Sequence, residues 1–141
     1  MLRAVIRSTV ATSSGVLLVA IAWAAARYYT WEPIDAPRDS WAYTFKVSRA
    51  AKQFRLWSPR TQPLFDVARG AGHERDYNLI RYHSDLSLEQ LQTRVQAEGY
   101  RCAYYGAALV CDRTRGRVLE SQVSALRDAA GSELTVQVQV L

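Results

Sequence analysis

Two histidines and several nearby carboxylates are the residues whose types could support catalysis or metal binding. His73 opens the run His-Glu-Arg-Asp over residues 73–76, and His83 and Asp85 follow it. A metal site needs three or four ligands of suitable type and geometry, and this set does not specify one. The run is typical of a charged loop before a strand, so no metal is expected. A small hydrolase that uses His73 or His83 with a carboxylate is kept as an alternative.

The sequence contains no motif of a familiar catalytic class. The patterns G-x-S-x-G, Walker A and G-x-G-x-x-G do not occur. Cys102 and Cys111 lack the C-x-x-C spacing of a redox motif, and no base is marked that would activate either thiol as a nucleophile. We therefore expect a protein that is not an enzyme and that needs no cofactor.

The two cysteines are instead placed to pair across a β-hairpin. Gly106 is the first residue of a two-residue loop with Ala107, which suits a type II′ turn. That turn sets Cys102 opposite Cys111 at a non-hydrogen-bonded pair, where side chains are closer. We expect a disulfide here, and hence an oxidising compartment. The alternative is two reduced cysteines among packed apolar residues.

Periodicity and end signals predict the elements from residue 77 onward. Ser87 and Gln90 form a capping box, and Gly99 is placed to end the helix that they begin. Apolar residues at helical spacing predict a second helix, and alternating Leu and Val residues predict a final strand. The predicted order is a strand at 77–83, a helix between Ser87 and Gly99, a hairpin at 100–113, a helix at 117–130 and a strand from 134.

This order predicts an α+β fold of the ferredoxin-like (βαββαβ) type, with two helices on one face of an antiparallel sheet. Four tyrosines cluster around the predicted sheet, and tyrosine is enriched at protein interfaces. The tyrosines form either a candidate partner surface or simply the cover of the sheet. They are Tyr82, Tyr100, Tyr104 and Tyr105.

An uncharged segment near the N-terminus predicts contact with a membrane. Ser8–Ala26 lies between Arg7 and Arg27, and as a helix it would span roughly 28 Å. It is either a retained transmembrane helix or a signal peptide, since Ala22-Trp23-Ala24 has the form of a cleavage site. Retention is favoured by a flank that suits the membrane–water interface. This flank consists of Arg27, Tyr28, Tyr29 and Trp31.

The chain is expected to divide into five regions. They are a cytoplasmic tail at 1–7, the transmembrane helix or signal peptide at 8–27, a linker at 28–40, a connecting region at 41–76 and the ferredoxin-like periplasmic domain at 77–141.

Within the connecting region, basic residues are interleaved with aromatic residues over 41–60. This pattern indicates contact with lipid headgroups or a solvated basic face rather than nucleic-acid binding. Alternation predicts a strand at 41–47, and Pro63 with Gly70 predicts a short helix between them.

Together these features predict a single-pass inner-membrane protein with its N-terminus in the cytoplasm. Its periplasmic α+β domain would be an interaction or assembly module in a multi-protein envelope complex. The expected partners are membrane lipid and other envelope proteins, without nucleic acid. The alternative is a secreted periplasmic binding or inhibitor module that signal-peptide cleavage releases.

Overall fold

A computed structural model describes residues 2–69, 76–128 and 133–141, with side chains described from Val16 onward. The chain divides into two compact units, 1–31 and 32–141. The first unit contains helix α1, Leu2–Thr30. The described part of the second unit contains three short helices and a six-stranded sheet. Among the residues whose side chains are described, every buried residue of the hydrophobic core belongs to the second unit.

The predicted membrane-spanning helix over 8–27 is contradicted. The first third of that segment is polar, with Ser8, Thr9, Thr12, Ser13 and Ser14, so its dense apolar part is limited to 15–26. As a helix this part would span roughly 18 Å of a hydrocarbon core about 30 Å thick. Among the described residues, no helix is both long and apolar enough to cross a membrane. The predicted location, in the inner membrane with a periplasmic domain, is contradicted by the same finding.

The sheet is antiparallel throughout, with strand order β1-β2-β6-β5-β4-β3. The C-terminal strand β6 therefore lies between β2 and β5, in the middle of the sheet. The strands are β1 Leu64–Ala68, β2 Tyr77–Ser84, β3 Arg101–Tyr105, β4 Ala108–Arg115, β5 Val118–Arg127 and β6 Leu134–Val140.

The ferredoxin-like prediction is wrong, because the region expected to form its second helix is a strand. Arg115 pairs with Val118, so Gly116 and Arg117 form a two-residue turn that starts β5 immediately after β4. Gly116 has a φ of 65°, which a glycine adopts without steric cost. Ser121, Val123 and Ala125 are buried alternately along β5, as expected for one face of a strand. Residues 129–132, including the predicted stop at Gly131, lie outside the described residues.

Two predictions in the connecting region are also wrong. Residues 41–47 were expected as a strand, but Trp41–Lys46 is helix α2, because the Ser40 hydroxyl caps it by accepting a hydrogen bond from Tyr43 N at 3.1 Å. A second short helix, α3, Arg49–Lys52, follows with Ser48 as its cap. The helix expected after Pro63 is strand β1, which pairs with β2. Gly70, its expected end, lies outside the described residues.

The predictions for the first helix and the hairpin are confirmed. Helix α4, Leu88–Ala97, begins with the Ser87 and Gln90 capping box. Gly99 has a φ of 88°, and Tyr100 N–H donates back to Val95 O at 3.4 Å. Strands β3 and β4 pair in the predicted register around Gly106 and Ala107.

One face of the sheet carries the core. Helix α4 packs on this face with Leu91 and Val95 buried, and Ala51 and Trp57 from the segment before β1 join the same core. The residues that alternate with the core residues along each strand are only partly buried or exposed. The core face is formed by Phe65, Ile80, Tyr82, Leu109, Cys111, Val123, Ala125, Val136 and Val138.

Candidate functional site

The predicted disulfide between Cys102 and Cys111 is present. Its sulfurs are 2.07 Å apart and the two Cα atoms are 3.9 Å apart. The cysteines are register partners on β3 and β4, and Cys111 is fully buried. The bond therefore attaches the short strand β3 covalently to the core of the sheet.

Strand β3 forms an open edge of the sheet. The pairs Arg101–Asp112, Ala103–Val110 and Tyr105–Ala108 alternate with the non-hydrogen-bonded pairs, so the N–H and C=O groups of Cys102 and Tyr104 point away from β4. Within the described part of the chain, β3 pairs with β4 alone. Unpaired backbone groups in a row are a template for the addition of another strand.

The opposite edge, at β1, is covered by the chain itself. Ala36 exchanges two backbone hydrogen bonds with Phe65, at 2.9 and 3.0 Å, and Val67 N–H donates to Pro33 O at 2.9 Å. An ion-pair network holds this covering segment, since Arg81 Nη2 lies 2.6 Å from Asp35 Oδ1 and 2.9 Å from an Asp66 carboxylate oxygen. The two edges of the sheet are therefore not equivalent.

The four tyrosines do not form one surface. Tyr82 and Tyr100 are 2% and 4% exposed, and both hydroxyls are used inside the domain. Trp57 N–H donates to Tyr82 Oη at 3.2 Å, and Tyr100 Oη lies 2.7 Å from Ser121 Oγ. Burial raises the pKa of Tyr82 to about 12, and burial also raises the pKa of Tyr100. These two residues are structural.

Tyr104 and Tyr105 lie on the open edge and remain exposed. Tyr104 is 49% exposed on the face that carries α4, and its hydroxyl donates to Gln92 Oε1 at 3.1 Å. Tyr105 is 69% exposed, and as the next residue of the strand it faces the opposite side of the sheet. Only this half of the predicted tyrosine surface is available to a partner.

A basic hairpin tip adjoins the open edge. Arg115 and Arg117 flank Gly116 at the β4–β5 turn, and all three are exposed. Arg101 begins β3 on the same side, and its Nη2 donates to Thr114 Oγ1 at 3.2 Å. We call Arg101, Arg115 and Arg117 the basic tip.

A polar cleft of about 460 Å³ lies between α3, α4 and the strands β4 and β5. Arg113 is set over the Tyr100 ring at 5.0 Å, and its Nε lies 3.5 Å from Glu120 Oε2. Arg55 lies 3.7 Å from Glu98, whose carboxylate also accepts a hydrogen bond from the Trp57 indole at 2.9 Å. Each arginine of the cleft is thus matched by a glutamate, which leaves little charge for a ligand.

The histidine candidates do not assemble into a site. His83 Nδ1 lies 3.4 Å from Thr135 Oγ1 and 3.7 Å from the Glu133 carboxylate, on the partly exposed face of the sheet. Within the described ranges, no three His, Cys, Asp or Glu residues are grouped so that they could hold a metal ion. His73, Glu74 and Arg75 lie outside the described residues.

The residues predicted to lie at a membrane interface form the end of α1. The Arg27 guanidinium lies 5.5 Å from the centre of the Trp23 ring, and the rings of Tyr28 and Tyr29 meet edge to face at 5.7 Å. Tyr28, Tyr29 and Trp31 are all exposed. Their predicted interface role depended on a membrane-spanning helix, and the described residues contain no such helix.

The arginines beside β3 are not among the site residues predicted from the sequence. A strand at 118–127 was not predicted, so Arg115 and Arg117 were not seen as a turn beside β3. The signal for that turn was Gly116 between the two arginines.

Comparisons of the chain with protein-family models, curated proteins and solved structures found no match.

Proposed function

We propose that residues 32–141 form a non-enzymatic protein-interaction module that binds a partner by strand addition at β3. The observation that carries this proposal is the asymmetry of the sheet edges. The chain covers β1 with its own backbone, whereas the outward N–H and C=O groups of Cys102 and Tyr104 are presented to solvent. Strand addition uses such groups for affinity and neighbouring side chains for specificity.

The side chains of β3 support this proposal. Natural edge strands commonly avoid pairing by carrying charges, prolines or bulges. Strand β3 carries one charged residue, Arg101, and presents exposed aromatic rings on its two faces. Tyrosine offers a large contact area at low cost in conformational entropy, which suits a docking surface.

The disulfide supports the same site. A short edge strand frays easily, and a frayed strand has to be ordered before it can bind. The bond between Cys102 and Cys111 keeps β3 in register with β4, so the outward groups are held ready for a partner strand.

A pair of substitutions at one position tests the proposal. Tyr104→Pro removes the outward N–H without removing a bond to β4, a position where proline is tolerated in an edge strand. Tyr104→Thr removes the aromatic ring but keeps the N–H. A photo-crosslinking amino acid is placed at position 105 in the source cells, and adducts are identified by mass spectrometry.

We expect a protein adduct in the unmodified chain, a weaker one in Tyr104→Thr and none in Tyr104→Pro. Position 137, an exposed residue in the centre of the sheet, serves as the control and should not yield that adduct. An adduct at position 105 that persists in Tyr104→Pro would exclude strand addition. The identity of the captured protein distinguishes a subunit of an assembly from the target of a secreted binding or inhibitor module.

A further inference from the structure

Building on the proposed strand addition at β3, we propose that the partner segment is an extended acidic peptide. Its carboxylates would pair with the basic tip, and its apolar side chains would pack beside Tyr105. This inference specifies both the chemistry of the partner and the end of β3 at which its charges lie.

The basic tip carries charge that no described carboxylate of the domain neutralises. Among the described residues, no carboxylate lies within 4 Å of the guanidinium groups of Arg101, Arg115 and Arg117. The nearest acids along the hairpin have other partners, since Asp112 accepts from Gln122 Nε2 at 2.9 Å and Glu120 lies beside Arg113. Residues 112–120 around the turn, together with Arg101, hold four arginines against two carboxylates.

The position of this charge matches one end of an added strand. Arg101 is the first residue of β3, so its side chain would neighbour the added strand directly. Strand β4 continues three residues beyond Asp112, roughly 10 Å, which brings Arg115 and the turn past the end of β3. Guanidinium groups bind carboxylates bidentately, so acidic residues are the natural match at this end.

The other end of β3 is apolar. Tyr105 is followed by the Gly106–Ala107 turn, and across the hairpin Ala108 pairs with Leu126, which is 49% exposed. A peptide along β3 therefore meets arginines at one end and apolar side chains at the other. This polarity favours a segment with carboxylates at one end and apolar residues at the other, and it determines the direction in which the segment lies.

A peptide fits this site better than a nucleic acid or a lipid surface. The arginines flank a row of free backbone groups, which a second backbone matches and a phosphate chain does not. Nucleic-acid grooves combine positive charge with several aromatic platforms in sequence, whereas here the two exposed tyrosines face opposite sides of the sheet.

The test measures the affinity of the full, oxidised chain for defined peptides by fluorescence anisotropy. Three labelled octapeptides share an apolar half of alternating Val and Thr residues and differ in the other half, which contains Glu, Gln or Lys. We expect the Glu peptide to bind roughly tenfold more tightly than the Gln peptide at low salt, and the difference to shrink at high salt. The Lys peptide should bind most weakly.

Variants separate this inference from strand addition itself. Arg115→Gln with Arg117→Gln should remove the preference for Glu, whereas Arg127→Gln, at the far end of β5, should preserve it. Tyr104→Pro should weaken the binding of all three peptides alike.

Equal binding of the Glu and Gln peptides that Tyr104→Pro still abolishes would overturn the acidic preference alone. Glu-peptide binding that survives Tyr104→Pro would overturn strand addition. Tighter binding of a single-stranded oligonucleotide or an anionic vesicle would overturn the peptide as partner.

Discussion

At the scale of single residues, identical side chains take different roles according to their place on the sheet. Tyr82 accepts a hydrogen bond from a buried backbone N–H, whereas Tyr105 lies exposed on the open edge. The sequence shows that both positions are tyrosines near predicted strands. Burial depends on which face each residue occupies and on what covers that face, so the division of the tyrosines could not be predicted from residue type.

The buried phenol of Tyr82 predicts a specific loss of stability at alkaline pH. Its pKa is raised to about 12 in the folded protein, mainly by burial, whereas an unfolded tyrosine titrates near 10. Below pH 10 the phenol is neutral in both states. Between pH 10 and 12 the unfolded chain loses this proton and the folded chain keeps it, so the free energy of unfolding falls by roughly 2–3 kcal/mol.

Urea unfolding at pH 9 and pH 11.5 measures this effect. Tyr82→Phe should be about 1–3 kcal/mol less stable at pH 9, because the Trp57 N–H loses its acceptor, and the gap from the unsubstituted protein should narrow at pH 11.5. Tyr105→Phe is the matched control and should keep the original pH dependence. A gap of the same size at both pH values would show that Tyr82 is not the group responsible.

At the scale of elements, prediction succeeded where the signals are local. The capping box of α4, the positive φ of Gly99 and the register around Gly106 all depend on residues a few positions apart. Strand β5 was missed because Leu119, Val123 and Leu126 also fit a helical period. Helix α2 was missed because its alternating aromatics resemble a strand, although Ser40 caps a helix there. Residues 118–127 form a strand because they pair with β4 and β6. This pairing in the folded sheet is not visible in the spacing of the apolar residues along the segment itself.

The hairpin of β3 and β4 predicts the effect of reduction. Closing the short loop between Cys102 and Cys111 should stabilise the domain by roughly 2–3 kcal/mol, because the bond restricts the unfolded chain. Urea unfolding with and without a phosphine reductant gives this difference. A double variant, Cys102→Ala with Cys111→Ala, should not respond to reductant. Equal stability of the oxidised and reduced protein would contradict the estimate.

At the scale of the whole molecule, the site exists only because of the strand order. The C-terminal strand β6 lies between β2 and β5, which places β3 at one edge and β1 at the other. The covering of β1 joins Ala36 to Phe65, far apart in sequence. An open edge is a property of the complete sheet, so the sequence could supply the tyrosines and the disulfide of the site but not its exposure.

The division of the chain at residue 31 and the central place of β6 predict opposite effects for two truncations. All core residues with a described burial lie beyond residue 31, so the 32–141 fragment should fold and melt within about 3 °C of the full chain. Removal of residues 134–141 should abolish cooperative unfolding, because it takes Val136 and Val138 from the core and leaves both β2 and β5 without a partner on that side. Circular dichroism during heating compares the three proteins. A fragment 32–141 that fails to fold would show that the first unit stabilises the second, and a stable protein without β6 would contradict the observed strand order.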